Sequence, residues 1–289
     1  MKKVAVIGLG IMGGSVIKAL KKAENYYVIG YNRTSSVSKQ AFDDGFLDEI
    51  WDGVSPLNSD ITILAVNPEV TYKLLKTLPQ LLKEGSILTD ICGIKEKVVR
   101  MGEESCSEYK IRFVGGHPMA GRERSGYEFS TEGIFFNRSY IFTETDNTDK
   151  NAVKELSQMA LDMGCADVTI TTPAYHDKMI AYTSQLPHIL AGAYMNSPTS
   201  ATHRGYSAGS YHDVSRVASV DEKLWTELFL ANRENLLYEI DILIRNLQDY
   251  RTAVAADDAA KLSGIIKTGR ILKERDITVN GNEKPHKFG

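Results

Sequence analysis

Apolar and polar positions fall into two regimes along this chain. Up to Thr172, short apolar runs alternate with amphipathic stretches; beyond it, helical spacing takes over. "KVAVIGLG" is a continuous apolar run ended by glycines, the pattern of a strand covered on both faces. "IMGGSVIKALKKAE" follows, with Val16, Leu20 and Ala23 on one side and lysines elsewhere, which predicts a helix. "YYVIGYN", "ITILAV", "SILTDIC" and "IRFVGG" repeat the strand pattern. The helix-like "SSVSKQAFDDG", "EVTYKLLKTLPQLL" and "KEKVVRMGEES" separate them. "RSYIFTET" and "ADVTITT" flank a helix around "AVKELSQMALDMG" and extend the sheet. This alternation predicts an α/β Rossmann-type, doubly wound, mostly parallel sheet.

Thr172-Pro173 reads as an N-cap followed by proline in the first turn. From there to about Lys273 the spacing predicts an all-α part. The stretch holding Trp225, Leu228, Leu236, Ile240 and Leu247 reads as one long helix. Such a helix usually has a neighbour along its length, which predicts a homodimer through this part. The polar end, "DITVNGNEKPHKFG", predicts a flexible tail.

Composition narrows the function classes. A length of 289 residues suits two domains. A net charge of -3 gives no reason to expect nucleic acid or an anionic membrane as partner. Cys92, Cys106 and Cys165 are odd in number and widely spaced, which fits a reducing compartment rather than a disulfide framework or a zinc site. No apolar run approaches the roughly 20 residues needed to span a bilayer. The apolar start is broken by Gly8 and Gly10 and lacks a small-residue cleavage site, so a cytoplasmic protein is expected.

"GLGIMG" sets Gly8, Gly10 and Gly13 in G-x-G-x-x-G spacing, after a strand and at the opening of a helix. That context makes it a dinucleotide-binding loop, with Leu9, Ile11 and Met12 between the glycines and Ala65 and Val66 at the end of the third long strand. The expected organisation is a dinucleotide-binding Rossmann domain over 1–171, a helical substrate and dimerisation domain over 172–275 and a tail over 276–289. At the end of the second strand, where NAD enzymes carry an acidic residue, stand Asn32, Arg33, Thr34 and Ser35. Asn32 repels no phosphate, Arg33 can pair with one, and the hydroxyls can add hydrogen bonds, so NADP is favoured over NAD. The alternative is NAD, with Arg33 a solvated loop charge.

"VGGHPMAGRERSG" puts His117 at the cofactor edge of the sheet, where an uncharged imidazole can take a proton from a hydroxyl as hydride leaves the same carbon. Position alone leaves a hydrogen-bonded turn histidine equally open. A second set of polar residues holds His176, Asp177, Ser184, Gln185 and His188, and a third holds His212, Asp213 and Arg216. Their spacings match no zinc pattern, so no metal is expected. Arg216 is either a surface charge or a carboxylate clamp.

"VGGHPMAGRERSG", "SQLPH" and "DVSRVA" followed by "LWTELFLAN" resemble, in order and spacing, the prephenate dehydrogenase family of tyrosine biosynthesis, up to about residue 273. The resemblance implies a Rossmann domain and a helical dimerisation domain with the active site between them. It implies oxidative decarboxylation of prephenate to 4-hydroxyphenylpyruvate, with hydride passing to NAD(P). His117 matches the catalytic histidine, Arg216 the arginine that binds a prephenate carboxylate, and His188 the histidine of the substrate pocket. Glu123, His176, Asp177, Ser184 and Asp213 match positions around the cleft. The chain departs where many members have a serine: "DICGIK" offers Cys92 and Gly93 instead. No regulatory domain is expected after about residue 275, so any inhibition by tyrosine would act at the active site. The rivals are arogenate dehydrogenase, a 3-hydroxyacid dehydrogenase with Lys178 as acid/base, and a nucleotide sensor without catalysis.

Overall fold

The computed structural model describes residues 1–121 and 124–280. They pack as two compact units, residues 1–236 and the residues from 237 onward.

The first unit is built on an eight-stranded sheet, in the order β3-β2-β1-β4-β5-β6-β7-β8. The strands are β1 (Lys2–Ile7), β2 (Tyr26–Tyr31), β3 (Glu49–Ile50), β4 (Ile61–Leu64), β5 (Ile87–Asp90), β6 (Arg112–Pro118), β7 (Ser139–Thr143) and β8 (Asp167–Thr171). All neighbours run parallel except β6 and β7. β3 is the one strand the apolar pattern misses, because both its residues are exposed. Helices α1 (Ile11–Lys22), α2 (Ser35–Asp43), α3 (Pro68–Thr77), α4 (Glu96–Ser107) and α5 (Lys150–Asp162) connect or follow the strands.

Strand periodicity decides what each face buries. Val4 and Val6 join a core with Val16, Leu20, Phe142 and Leu156; Ala5 and Ile7 join the opposite core with Leu64, Leu75, Val98 and Phe113. Parallel order places the carboxyl ends of β1, β4, β5 and β6 along one edge, where doubly wound sheets bind ligands.

Past β8 only helices follow: α6 (Pro173–Ile180), α7 (Leu186–Met195), α8 (Gly209–Ser215), α9 (Glu222–Ala231), α10 (Arg233–Ala255) and α11 (Ala259–Asn280). Thr172 caps α6, its side chain accepting from the Tyr175 N–H. The helical stretch after Thr172 is interrupted near its proline: a π turn at Ala181–Gln185 precedes α7 and takes up the proline at position 187. One expectation is corrected. The long helix through Trp225 and Leu247 is broken at Asn232, whose side chain turns inward to the Asp177 carbonyl and the Gln185 amide oxygen, both at 2.8 Å.

The second unit holds most of α10 and then α11, with Lys261 set 3.7 Å from Asp249. α11 runs on to Asn280, into the stretch from 276 read as a loose tail; residues 281–289 lie outside the described residues. Among the described residues no helix is long and apolar enough to cross a membrane.

Candidate active site

The glycine loop follows β1 and opens α1. Gly8 has φ +98°, and a Cβ there would lie 2.5 Å from the Ala65 carbonyl oxygen and from Val66 Cγ1. Only glycine lets the loop pass so close to the end of β4. A Cβ on Gly13 would fall 1.8 Å from the Gly8 carbonyl oxygen, so the helix packs directly on the loop. Gly10 is different: a Cβ there would meet nothing within 4 Å. It stands at the start of α1, which has no side-chain cap and no acidic residue in its first turn. The first amides of α1 and the open space above Gly10 therefore fit a pyrophosphate. Leu9, Ile11 and Met12 complete the loop, and Ala65 and Val66 pack against it.

Asn32 has a structural task at the end of β2. Its Oδ1 accepts from the Leu9 N–H at 3.0 Å, and its Nδ2 donates to the Thr34 carbonyl at 3.2 Å. It ties the glycine loop to the end of β2 with no charge. Arg33, Thr34 and Ser35 are exposed beside it, and α2 also begins without a side-chain cap or an acidic first turn.

His117 lies within β6, not past its end; it pairs with Ile141 of β7. The two glycines before it are required by packing. A Cβ on Gly115 would sit 2.5 Å from Thr143 Oγ1, and one on Gly116 would sit 2.6 Å from the Asp90 carbonyl oxygen. His117 is half-buried, and its Nδ1 is 2.9 Å from His176 Nε2. His176 Nδ1 is in turn 2.7 Å from Asp177 Oδ1. The same carboxylate accepts the N–H groups of Lys95 at 2.7 Å and Glu96 at 2.9 Å, capping the start of α4. Burial holds the His117 imidazole well below its ordinary 6.5, reinforced by His176 and Lys95. Burial also lowers His176, against the opposing pull of its hydrogen bond to Asp177.

Beneath His117 lies an ion pair that the sequence did not reveal. The Lys95 ammonium binds the Asp90 carboxylate, both side chains fully buried, and donates to the Gly116 carbonyl at 2.8 Å. The only signal was an aspartate closing an apolar strand five residues before a lysine, a pattern that surface turns share.

α9 joins the histidine to the second polar set. A Cβ on Gly93 would lie 3.4 Å from Leu228 Cδ2 and 3.7 Å from His117 Nε2. Trp225, three residues before Leu228 and so on the same helix face, packs against His188 with the ring centroids 3.7 Å apart and the planes tilted by 44°. The Nδ1–H of His188 donates to the Val217 carbonyl at 2.6 Å, next to Arg216. His117 and His188 thus flank one face of α9.

Other expected site residues fall differently. Ser184 is partly exposed in the π turn; Asp213 on α8 and Arg216 just after it are exposed. His176 is corrected: its side chain is fully buried and both ring nitrogens are engaged, so it backs His117 instead of meeting a substrate. Glu123 lies outside the described residues. Lys178, the acid/base of one rival reading, is exposed, next in sequence to the buried His176 and Asp177. Trp225, Gln185 and Asn232 join the site region without having been singled out as its ligands; buried, hydrogen-bonded amides carry no periodic signature. Among the described residues no group of His, Cys, Asp and Glu side chains could hold a metal ion.

An uncapped helix start at the glycine loop and a half-buried, hydrogen-bonded histidine on one carboxyl edge define the class, an NAD(P)-dependent dehydrogenase on a Rossmann sheet. The chain belongs to the prephenate dehydrogenase family. That family's nucleotide-binding domain matches residues 16–168 and its dimerization domain matches residues 172–268. The prephenate dehydrogenase of Lactococcus lactis is 30% identical over 284 residues, covering 95% of this chain and 77% of the relative. The crystal structure of A. aeolicus prephenate dehydrogenase with hydroxyphenyl propionate and NAD+ superposes with a TM-score of 0.84 at 28% identity, covering 95% of this chain and 98% of that one. The Synechocystis arogenate dehydrogenase structure gives 0.80 at 25% identity, covering 96% and 100%.

Proposed function

We propose that this protein oxidises and decarboxylates prephenate to 4-hydroxyphenylpyruvate, with NADP preferred over NAD. The observation that carries the reading is the set of contacts at His117: Nδ1 is bonded to a buried partner while Nε2 faces the space over Gly93. Gly8, Leu9, Gly10, Ile11, Met12, Gly13, Ala65 and Val66 would hold the dinucleotide, and Arg33, Thr34 and Ser35 would take a 2′-phosphate. The chemistry such a dinucleotide supplies when bound is hydride acceptance.

The chain's own residues do the rest. His117 Nε2 takes the proton of the ring 4-hydroxyl as the C4 hydrogen leaves with its electron pair. The carbonyl so formed draws electrons from the bond to the ring carboxylate, carbon dioxide leaves, and the ring becomes aromatic. The proton then returns to the phenolate oxygen. Arg216 and His188 orient the substrate's carboxylates, with Ser184 and Asp213 at the margins. In the second unit, Leu237, Tyr238, Ile244, Leu247, Val254, Ile266 and Leu272 are exposed apolar residues on α10 and α11. Their exposure supports a homodimer through the helical part. The three buried free cysteines fit work in the reducing cytoplasm. We read residues 1–171 as the dinucleotide domain and 172–275 as the substrate and dimerisation domain.

The test is turnover of purified protein on prephenate and on arogenate, each with NAD and with NADP. Prephenate turnover fastest with NADP is expected. No turnover of prephenate overturns the activity, and equal or better kcat/KM with NAD overturns the cofactor preference.

A further inference from the structure

We propose that His176 and Asp177 are positioning residues that fix the His117 imidazole as its Nδ1–H tautomer, leaving Nε2 as the only ring atom able to accept a proton. The argument follows the hydrogens. Both Asp177 oxygens already accept backbone N–H groups, from Lys95 at 2.7 Å and from Glu96 at 2.9 Å. The carboxylate is therefore held as an acceptor, and the His176 Nδ1 that faces Oδ1 at 2.7 Å must carry the proton. A neutral His176 then has a lone pair on Nε2, so the 2.9 Å contact to His117 is filled by the His117 Nδ1–H. The lone pair of His117 is left on Nε2, the atom beside Gly93.

Each member of this relay is held from another direction. α6 supplies His176 and Asp177, and the inward Asn232 fixes the Asp177 backbone by donating to its carbonyl at 2.8 Å. Among the described residues, Lys95 and Asp90, at the junction of β5 and α4, are further charged groups near the His117 ring, and the thiol of Cys92 lies beside them. Lys95 disfavours an imidazolium, while the Asp177 carboxylate, one ring behind, can face the positive charge once a proton arrives. His176 is thus behind the reacting group, which explains a buried histidine with both nitrogens committed.

The proposal rests on His117 being the base of the reaction above, but the tautomer is read on the resting protein. Success or failure of turnover is therefore a separate result. The experiment is nitrogen-15 NMR of protein labelled at its six histidines, with the His117 signals assigned by their loss in His117→Asn. A protonated Nδ1 and an unprotonated Nε2 on His117 are expected in the unaltered protein; protonation at Nε2, or a fast mixture of tautomers, overturns the proposal. This arm requires no altered relay residue to fold.

The second arm is His176→Phe, which fills the site without either hydrogen bond. Expected are loss of the fixed His117 tautomer and a fall in kcat of roughly 10²–10³-fold with KM within about threefold, as for a general base in the wrong protonation geometry. An unchanged tautomer with unchanged kcat, or a rise in KM alone, overturns the proposal.

Discussion

Lys95 and Asp90 form an ion pair with no exposed side-chain surface on either partner. It stands directly under the catalytic edge. Asp90 also accepts from the N–H groups of Cys92 at 2.8 Å and Gly116 at 3.3 Å, so one carboxylate ties the end of β5 to the strand that carries His117. Removing the ammonium would leave a buried carboxylate without its counter-charge. Lys95→Met is expected to cost about 3–5 kcal/mol of stability, measured by chemical denaturation. A loss below about 1 kcal/mol would show that water or another group replaces the ammonium.

Gly93 determines how much room lies in front of His117 Nε2. A Cβ there makes ordinary contacts, 3.4 Å from Leu228 Cδ2 and 3.7 Å from His117 Nε2. Gly93→Ser is therefore expected to fold normally and to place a hydroxyl within reach of Nε2. One regained hydrogen bond is worth about 1 kcal/mol, so a several-fold gain in kcat/KM for prephenate is expected. Gly93→Leu should instead fill the space and lower kcat/KM by about 10²-fold at unchanged cofactor affinity. Equal activity in all three proteins would place the reacting carbon elsewhere.

Asn32 meets two demands at once. It holds the glycine loop through the Leu9 N–H, and it leaves the ribose end uncharged. Asn32→Asp keeps the acceptor for Leu9 and adds a negative charge where a 2′-phosphate is expected. The ratio of kcat/KM for NADP to that for NAD should fall by about 10–100-fold, with thermal stability little changed. Steady-state kinetics with both cofactors decides it; an unmoved ratio would detach Asn32 from the ribose.

The fold was legible where one physical rule acts alone. Buried parallel strands such as Val4–Ile7 read as apolar runs, and the Gly8, Gly10, Gly13 spacing has one common use after a strand. The site was less legible, because tertiary contacts decide it. Nothing in the sequence distinguishes His176, sealed behind His117, from a histidine lining a cleft, and Asn232 breaks a helix only because Asp177 and Gln185 offer its side chain partners. The need for glycine at 115 and 116 is likewise tertiary, because Thr143 and Asp90 fill the space beside them.

The two coupled histidines also set a pH dependence. Burial lowers both His117 and His176 from the ordinary 6.5, so each is neutral in the folded chain where the unfolded chain begins to protonate. Below pH 6.5 the unfolded state then binds more protons than the folded state, and stability must fall as pH falls. Glu96, raised above its ordinary 4.5 by burial, works weakly in the opposite sense, and the carboxylates that are held low contribute later. Asp60, held low by the Lys3 N–H, and Glu155, held low by Lys2, lose their contribution only near and below their ordinary values of 3.8 and 4.5. The window between about pH 6.5 and pH 5 therefore belongs mainly to the histidines. Thermal melting of the unaltered protein should show a falling midpoint across that window, and His176→Phe, which removes one of the two protons taken up, should show a shallower slope. The acid limb of kcat/KM should lie below 6.5, because the base stays unprotonated there. A midpoint that does not change between pH 7 and pH 5, or an acid limb above 6.5, would mean that His117 and His176 are not shielded from water as a pair.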